Sequence, residues 1–156
     1  MRFGRQIGRV LAVIQIVLLI VIFVSVEAEN NLVIHTQLSV LYILSIILLA
    51  LSILCFLVTI YYFRQPITPN PFPLEKSTLR TNGIYSLVRH PMYLSAFLFI
   101  AGYVLYRSTY FTLLLCVPVM VFLLVKISWE EKFLSLKFED YEQYRKRTKK
   151  IVPFIY

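Results

Sequence analysis

Two short clusters in this chain carry side chains that could do chemistry. One is Arg89-His90-Pro91-Met92-Tyr93; the other is Lys126 followed by Trp129-Glu130-Glu131. Proline at 91 excludes His90 from helical geometry and suits the first turn of a helix that starts there. The free amides and dipole at such a start make a place for a carboxylate, with Arg89, His90 and Tyr93 around it as donors and an aromatic face. The plainer reading makes Arg89 a membrane-border anchor, His90 a cap and Tyr93 an interfacial aromatic, since all three types are common at such borders. At the second cluster, two adjacent carboxylates beside an apolar run on a cation-rich side need a partner or a purpose. An ion pair with Arg89 or Lys126 is the structural option there. Cys55 and Cys116 lie inside apolar runs and form no CxxC pair, so they read as packing thiols, and no metal-ligand constellation is present.

The elements that must position these clusters are apolar. Of the 156 residues, 59% are hydrophobic and only 15% charged, far from an ordinary soluble domain and indicative of one membrane domain. Four apolar stretches stand out, Val10 to Val26, Leu38 to Phe63, Met92 to Tyr106 and Phe111 to Val125. The last two, separated only by Arg107-Ser108-Thr109, read as a tight helical hairpin, with Pro118 expected to kink its second arm. The first stretch reads as an uncleaved anchor, because its apolar core exceeds the roughly 7–15 residues of a signal peptide. Between the second and third stretches, Pro66, Pro69, Pro71 and Pro73 enforce extended chain, and Asn82-Gly83 marks a turn where glycine can take positive φ. After the fourth stretch, apolar or aromatic residues at 129, 133, 136, 141 and 144 with charges between them suggest an amphipathic helix along the interface.

The net charge of +8 does not point to nucleic acid, because the basic residues flank apolar segments instead of forming one basic face. Fifteen of the sixteen lie before the first stretch, between the second and third, or after the fourth; only Arg107 falls elsewhere. The positive-inside rule turns this alternation into cytoplasmic termini and a cytoplasmic central connection. Arg145, Lys146, Arg147, Lys149 and Lys150 read as a contact with anionic headgroups. The fold expected is thus an all-α integral membrane protein: four transmembrane helices, the last two a hairpin, plus a C-terminal interfacial helix. Small size and an Arg-led N-terminus suit a prokaryotic plasma membrane.

The residues that carry the chemistry also carry a resemblance. Leu79, Gly83, Tyr85, Arg89-His90-Pro91-Met92-Tyr93, Glu130-Glu131, Leu134, Phe138, Tyr141, Tyr144 and Pro153-Phe154-Ile155 follow the order and spacing of a known pattern. In this the chain resembles the isoprenylcysteine carboxyl methyltransferase family and, more distantly, the membrane phospholipid N-methyltransferases. The likeness covers about half the chain and implies a methyltransferase using S-adenosylmethionine. Residues 1–63 would be two scaffold spans and 64–156 the cofactor-binding catalytic half of a single membrane domain. Leu79 and Tyr85 would line the adenosyl or methionyl part, Arg89, His90, Pro91, Met92 and Tyr93 would hold the amino-acid end, and Glu130 would bind the cofactor as well.

Lys126 falls where the family places a substrate-facing arginine, keeping the charge but losing the planar fork. A second departure is Glu139, beside Phe138, where the family usually has an extra glycine. The acceptor implied is lipid-like or prenylated and reaches the site from the bilayer. A carboxylate acceptor would be oriented by Lys126, while an amine would need a carboxylate such as Glu131 to take its proton. A phospholipid amine methyltransferase, a relative of membrane sterol reductases and a non-catalytic membrane scaffold are the alternatives.

Overall fold

Leucine, isoleucine and valine without an intervening glycine or proline leave residues 39–63 one way to satisfy their backbone in an apolar medium, which is a helix. A computed structural model describes residues 10–11, 13–17, 20, 39–63, 78–107 and 110–155, and shows that helix as α1 (Ser39–Phe63). A single 3-10 turn, Gly83–Ser86, leads to α2 (Pro91–Arg107), α3 (Tyr110–Lys137) and a short α4 (Tyr141–Arg147). Residues 10–11, 13–17 and 20 are helical too, and the rest of the first apolar stretch lies outside the described residues. Among the described residues there is no strand, only an isolated parallel bridge between Val88 and Lys149.

Helices α1 and α2 run antiparallel in close contact: Tyr42 meets Tyr106, Ser52 Oγ donates to the Ser95 carbonyl (2.9 Å), and Cys55 Sγ faces the Pro91 carbonyl (3.5 Å). Ser45, Ser52 and Thr59 recur every seven residues on α1 and are all buried. Small residues let helix backbones approach in a membrane, where dispersion and polar contacts replace the hydrophobic effect between helices. Gly102 marks the closest approach, because a Cβ there would stand 3.0–3.1 Å from Leu49 Cγ, Leu48 Cβ and the Leu49 nitrogen. Gly102→Leu is therefore expected to lower stability by about 1–3 kcal/mol through overpacking. A thermal midpoint within error of wild type in the same detergent would show that α1 and α2 do not press together here.

The last two long helices form an antiparallel pair around Ile100, Cys116, Val119 and Leu123. This is the hairpin arrangement expected from the sequence, although residues 108–109 of its turn lie outside the described residues. Two helical segments, Val40–Phe63 and Thr112–Lys137, are long and apolar enough to cross a membrane; α2, with 17 residues, measures about 25 Å. Helix α3 continues as helix through Pro118 and runs twelve residues past Val125. Nothing between Val125 and Phe138 breaks it, since Lys126, Glu130, Glu131, Lys132 and Leu134 are all good helix formers.

The C-terminal helix differs from the expected single amphipathic element. The chain turns at Phe138-Glu139-Asp140, and α4 folds back so that Tyr141 and Tyr144 are buried while Trp129 and Leu136 stay exposed on α3. Residues 129–144 thus belong to two helices whose apolar positions face different surroundings. The tyrosines turn inward because their hydroxyls find acceptors there, described next.

Candidate active site

The approach to α2 is built on one glycine. Gly83 has φ of 63°, and a Cβ at this position would run into the Tyr62 ring, so the Asn82-Gly83 turn presses directly on the end of α1. The 3-10 turn that follows buries Tyr85, whose ring lies 6.3 Å from that of Phe63 and is inclined 29° to it. Just upstream, Leu79 and Arg80 are half-buried, and Arg80 Nε is buried with no hydrogen-bond acceptor among the described residues. Pro91 then opens α2 as its position predicts. The His90 carbonyl accepts from the amides of Tyr93 (3.1 Å) and Leu94 (3.0 Å), and the His90 ring stands edge-on to Tyr93 at 5.7 Å. Met92 is half-buried in the same turn.

The far end of the chain clamps this turn. Arg89 N donates to the Lys149 carbonyl (2.8 Å), Lys149 N to Leu87 (3.1 Å) and His90 N to Lys150 (3.1 Å). The Arg89 side chain is the bolt: Nε donates to Glu131 Oε1 at 2.8 Å, and one terminal nitrogen donates to the carbonyls of Arg145 (3.0 Å) and Thr148 (2.6 Å). Those carbonyls sit at the end of α4, so a cation there also meets the negative end of the helix dipole. Glu131 further faces Lys150 Nζ at 3.8 Å, Tyr141 OH at 3.5 Å and His90 Nε2 at 3.4 Å, the last without hydrogen-bond alignment. Tyr144 OH donates to the Tyr85 carbonyl at 2.7 Å. Burial pushes the phenols of Tyr141 and Tyr144 above the ordinary tyrosine range. The Glu131 charge adds to this at Tyr141 and Arg89 opposes it at Tyr144, and both stay protonated donors.

The neighbouring carboxylate has a different environment. Glu130 Oε2 accepts from Tyr93 OH at 2.8 Å, across the α2/α3 interface. One turn earlier on α3, Lys126 is buried, with 5% of its surface exposed, and its Nζ donates to Gln15 Oε1 at 2.6 Å. The sequence-predicted residues Tyr85, Arg89, His90, Pro91, Met92, Tyr93, Glu130 and Glu131 therefore gather where α2 begins and α3 passes. Lys126 stands one turn toward the interior, and Leu79 lies on the approach.

Three further residues join the cluster. In the sequence, Arg80 reads as one of the basic residues between the second and third apolar stretches, and Phe63 as the end of the second. Gln15 had a visible signal, since it is the one amide in the Val10–Val26 run.

Stacking faces at Phe63, Tyr85 and Tyr93, an acceptor at Glu130 and an orphaned buried donor at Arg80 suit a zwitterionic, nucleoside-bearing ligand such as S-adenosylmethionine. Comparison with known proteins points the same way. The family model described as phospholipid methyltransferase matches residues 40–141, about two thirds of the chain. A protein-S-isoprenylcysteine O-methyltransferase of Schizosaccharomyces pombe is 38% identical over 79 residues, which cover 49% of this chain and 34% of that protein. The match thus spans about a third of the length of this curated relative. No solved structure matches the chain.

Proposed function

The chain belongs to the phospholipid methyltransferase family, and from that premise we propose that it transfers a methyl group from S-adenosylmethionine to the carboxylate of a lipid-like or prenylated acceptor. The observation that carries the acceptor class is Lys126, a buried cation one helical turn from the Glu130-Tyr93 pair. Bound beside that pair, S-adenosylmethionine supplies an electrophilic methyl on a sulfonium. The protein's part is positioning in a dry site. Glu130, oriented by the Tyr93 hydroxyl, takes the ligand's ammonium or ribose hydroxyls, and Arg80 takes its carboxylate. Tyr85 and Tyr93 offer π faces to the cationic centre, a contact worth up to about 2 kcal/mol when desolvated.

Lys126 orients the acceptor's carboxylate, which is ionised at neutral pH and needs no general base. That removes the need for Glu131 to accept a proton. Held by Arg89, with His90 and Lys150 close by, Glu131 acts as a positioning residue that fixes the turn. An amine acceptor would instead require a base, and the ion pair with Arg89 argues against Glu131 in that role. The acceptor comes sideways from lipid and the cofactor from the cytoplasm, in a multi-pass protein with both termini cytoplasmic, suited to a prokaryotic plasma membrane. Residues 64–156 carry the site, with Phe63 and Gln15 added from the preceding helices.

The test combines calorimetry and turnover on the detergent-purified chain. S-adenosylhomocysteine is expected to bind saturably, and labelled methyl groups to pass from S-adenosylmethionine to an S-prenylated N-acetylcysteine as a base-labile ester. Label appearing instead on phosphatidylethanolamine would move the acceptor to the amine class. A folded chain that binds no S-adenosylhomocysteine would overturn the methyltransferase reading.

A further inference from the structure

We infer that Gln15 is a specificity-determining residue which, with Lys126, forms the anion-binding end of the acceptor site; this deepens the methyl-transfer reading and rests on it for the identity of the reaction. Glutamine is costly in the middle of an apolar helix, and polar side chains at such positions either staple helices together or serve a ligand. Gln15 stands in the run from Val10 to Val26, and its amide oxygen meets Lys126 Nζ at 2.6 Å, 111 residues away in the chain.

The chemistry of the pair sets what it can hold. An ammonium has three donors and no acceptor, so the amide must present its oxygen to Lys126 and keep its NH2 group turned elsewhere as a donor. Among the described residues, the one hydrogen bond Lys126 makes is to this neutral amide. Its charge is thus held between this amide dipole and the field of the Glu130 carboxylate one turn along α3, with N–H groups beyond the one bonded to Gln15. Lysine alone is a point charge and holds a carboxylate by one oxygen at a time. An amide fixed beside it adds a second donor of different origin, so that together they can address both oxygens of a carboxylate. A neutral ester, the product of methyl transfer, would lose the charge interaction and leave the site. The first helical segment on this view contributes to the acceptor site as well as to the scaffold.

A simple staple and an anion site make opposite demands on one substitution. Gln15→Glu keeps the link to Lys126 and strengthens it to an ion pair, yet it neutralises the cation and removes the spare donor. Gln15→Leu removes both functions at similar size. The full chain, reconstituted in lipid nanodiscs, is titrated with N-acetyl-S-farnesylcysteine and separately with its methyl ester. Wild type is expected to bind the acid at least about tenfold more tightly than the ester, the scale of one charge-assisted hydrogen bond. Gln15→Leu should cut most of that preference by weakening the acid alone, and Gln15→Glu should abolish it while its thermal midpoint holds or rises.

Retention of the wild-type acid-to-ester ratio in Gln15→Glu would overturn the inference and leave Gln15 a staple; so would a wild type with no preference for the acid. S-adenosylhomocysteine titrated into the same samples reports separately on the methyl-donor site. A failure of the methyl-transfer reading therefore shows as lost cofactor binding, on which the acid-to-ester ratio does not depend.

Discussion

Replacing Arg89 by alanine is expected to destabilise the protein by about 3–5 kcal/mol, the usual cost of breaking a buried ion pair from one side. Its side chain is 7% exposed and that of Glu131 12%, so little water is at hand to take over. Three bonds go at once: the pair to Glu131 and the two to the carbonyls of Arg145 and Thr148. The lost carbonyl contacts matter as much as the charge. They hold the end of α4 against the turn that opens α2, and without them the bridge between Val88 and Lys149 has less to keep it in register.

Arg89→Lys separates the two contributions, because lysine keeps the charge for Glu131 but cannot reach three acceptors in a fork. An intermediate loss is expected. Equilibrium unfolding in mild detergent, followed by helical signal, gives the comparison. A loss below about 1 kcal/mol for Arg89→Ala would mean that the C-terminal segment is held by its backbone bonds and the buried tyrosines alone. Glu131→Gln should lose less than Arg89→Ala, since Arg89 keeps its two carbonyl acceptors and a neutral amide oxygen can still accept from its Nε.

The second large effect is expected at the neighbouring carboxylate. Glu130→Ala should weaken S-adenosylhomocysteine by one to two orders of magnitude, consistent with a charged hydrogen bond worth roughly 1.5–3 kcal/mol. The thermal midpoint of the unliganded protein should change little, because among the described residues Glu130 has one hydrogen bond, to Tyr93, and the charge of Lys126 nearby, against the several contacts of Glu131. Glu130→Gln then reads the nature of the ligand group. If the carboxylate meets an ammonium, glutamine should be nearly as damaging as alanine; if it meets ribose hydroxyls, glutamine should recover much of the affinity. Wild-type affinity in a folded Glu130→Ala protein would remove Glu130 from the cofactor site.

The two predictions together separate adjacent residues that look interchangeable in the sequence. Glu131 is expected to show its loss in stability, and Glu130, as a proposed ligand group, to show it in binding. The clamp and the proposed site are also linked: Tyr144, on α4, donates to the carbonyl of Tyr85, so the C-terminal helix sets the height of an aromatic that the proposal places beside the cofactor. Loosening the clamp is expected to cost binding, whereas emptying the site costs the clamp little.

Much of this was legible in the chain because it depends on local or one-dimensional properties. Helix formation over 39–63 follows from an apolar run without breakers, and the start of α2 at Pro91 follows from what proline does to the residue before it. The positive φ at Gly83 was signalled by Asn82-Gly83, and the hairpin of α2 and α3 by the shortness of the turn between two apolar stretches. The family pattern rests on the same order of residues.

Packing alone decided the rest. Glu130 and Glu131 are neighbours in sequence but point about 100° apart around α3, and only the seating of α2 and α4 against that helix sends one to Tyr93 and the other to Arg89. The aromatic positions from 129 to 144 fit one amphipathic helix by spacing. The turn at 138–140 divides them, because Tyr141 and Tyr144 gain buried acceptors by folding back. The meeting of Gln15 with Lys126 could not be read from either neighbourhood, since it depends on how helices far apart in the chain come to lie together, and hydrophobic pattern does not specify that.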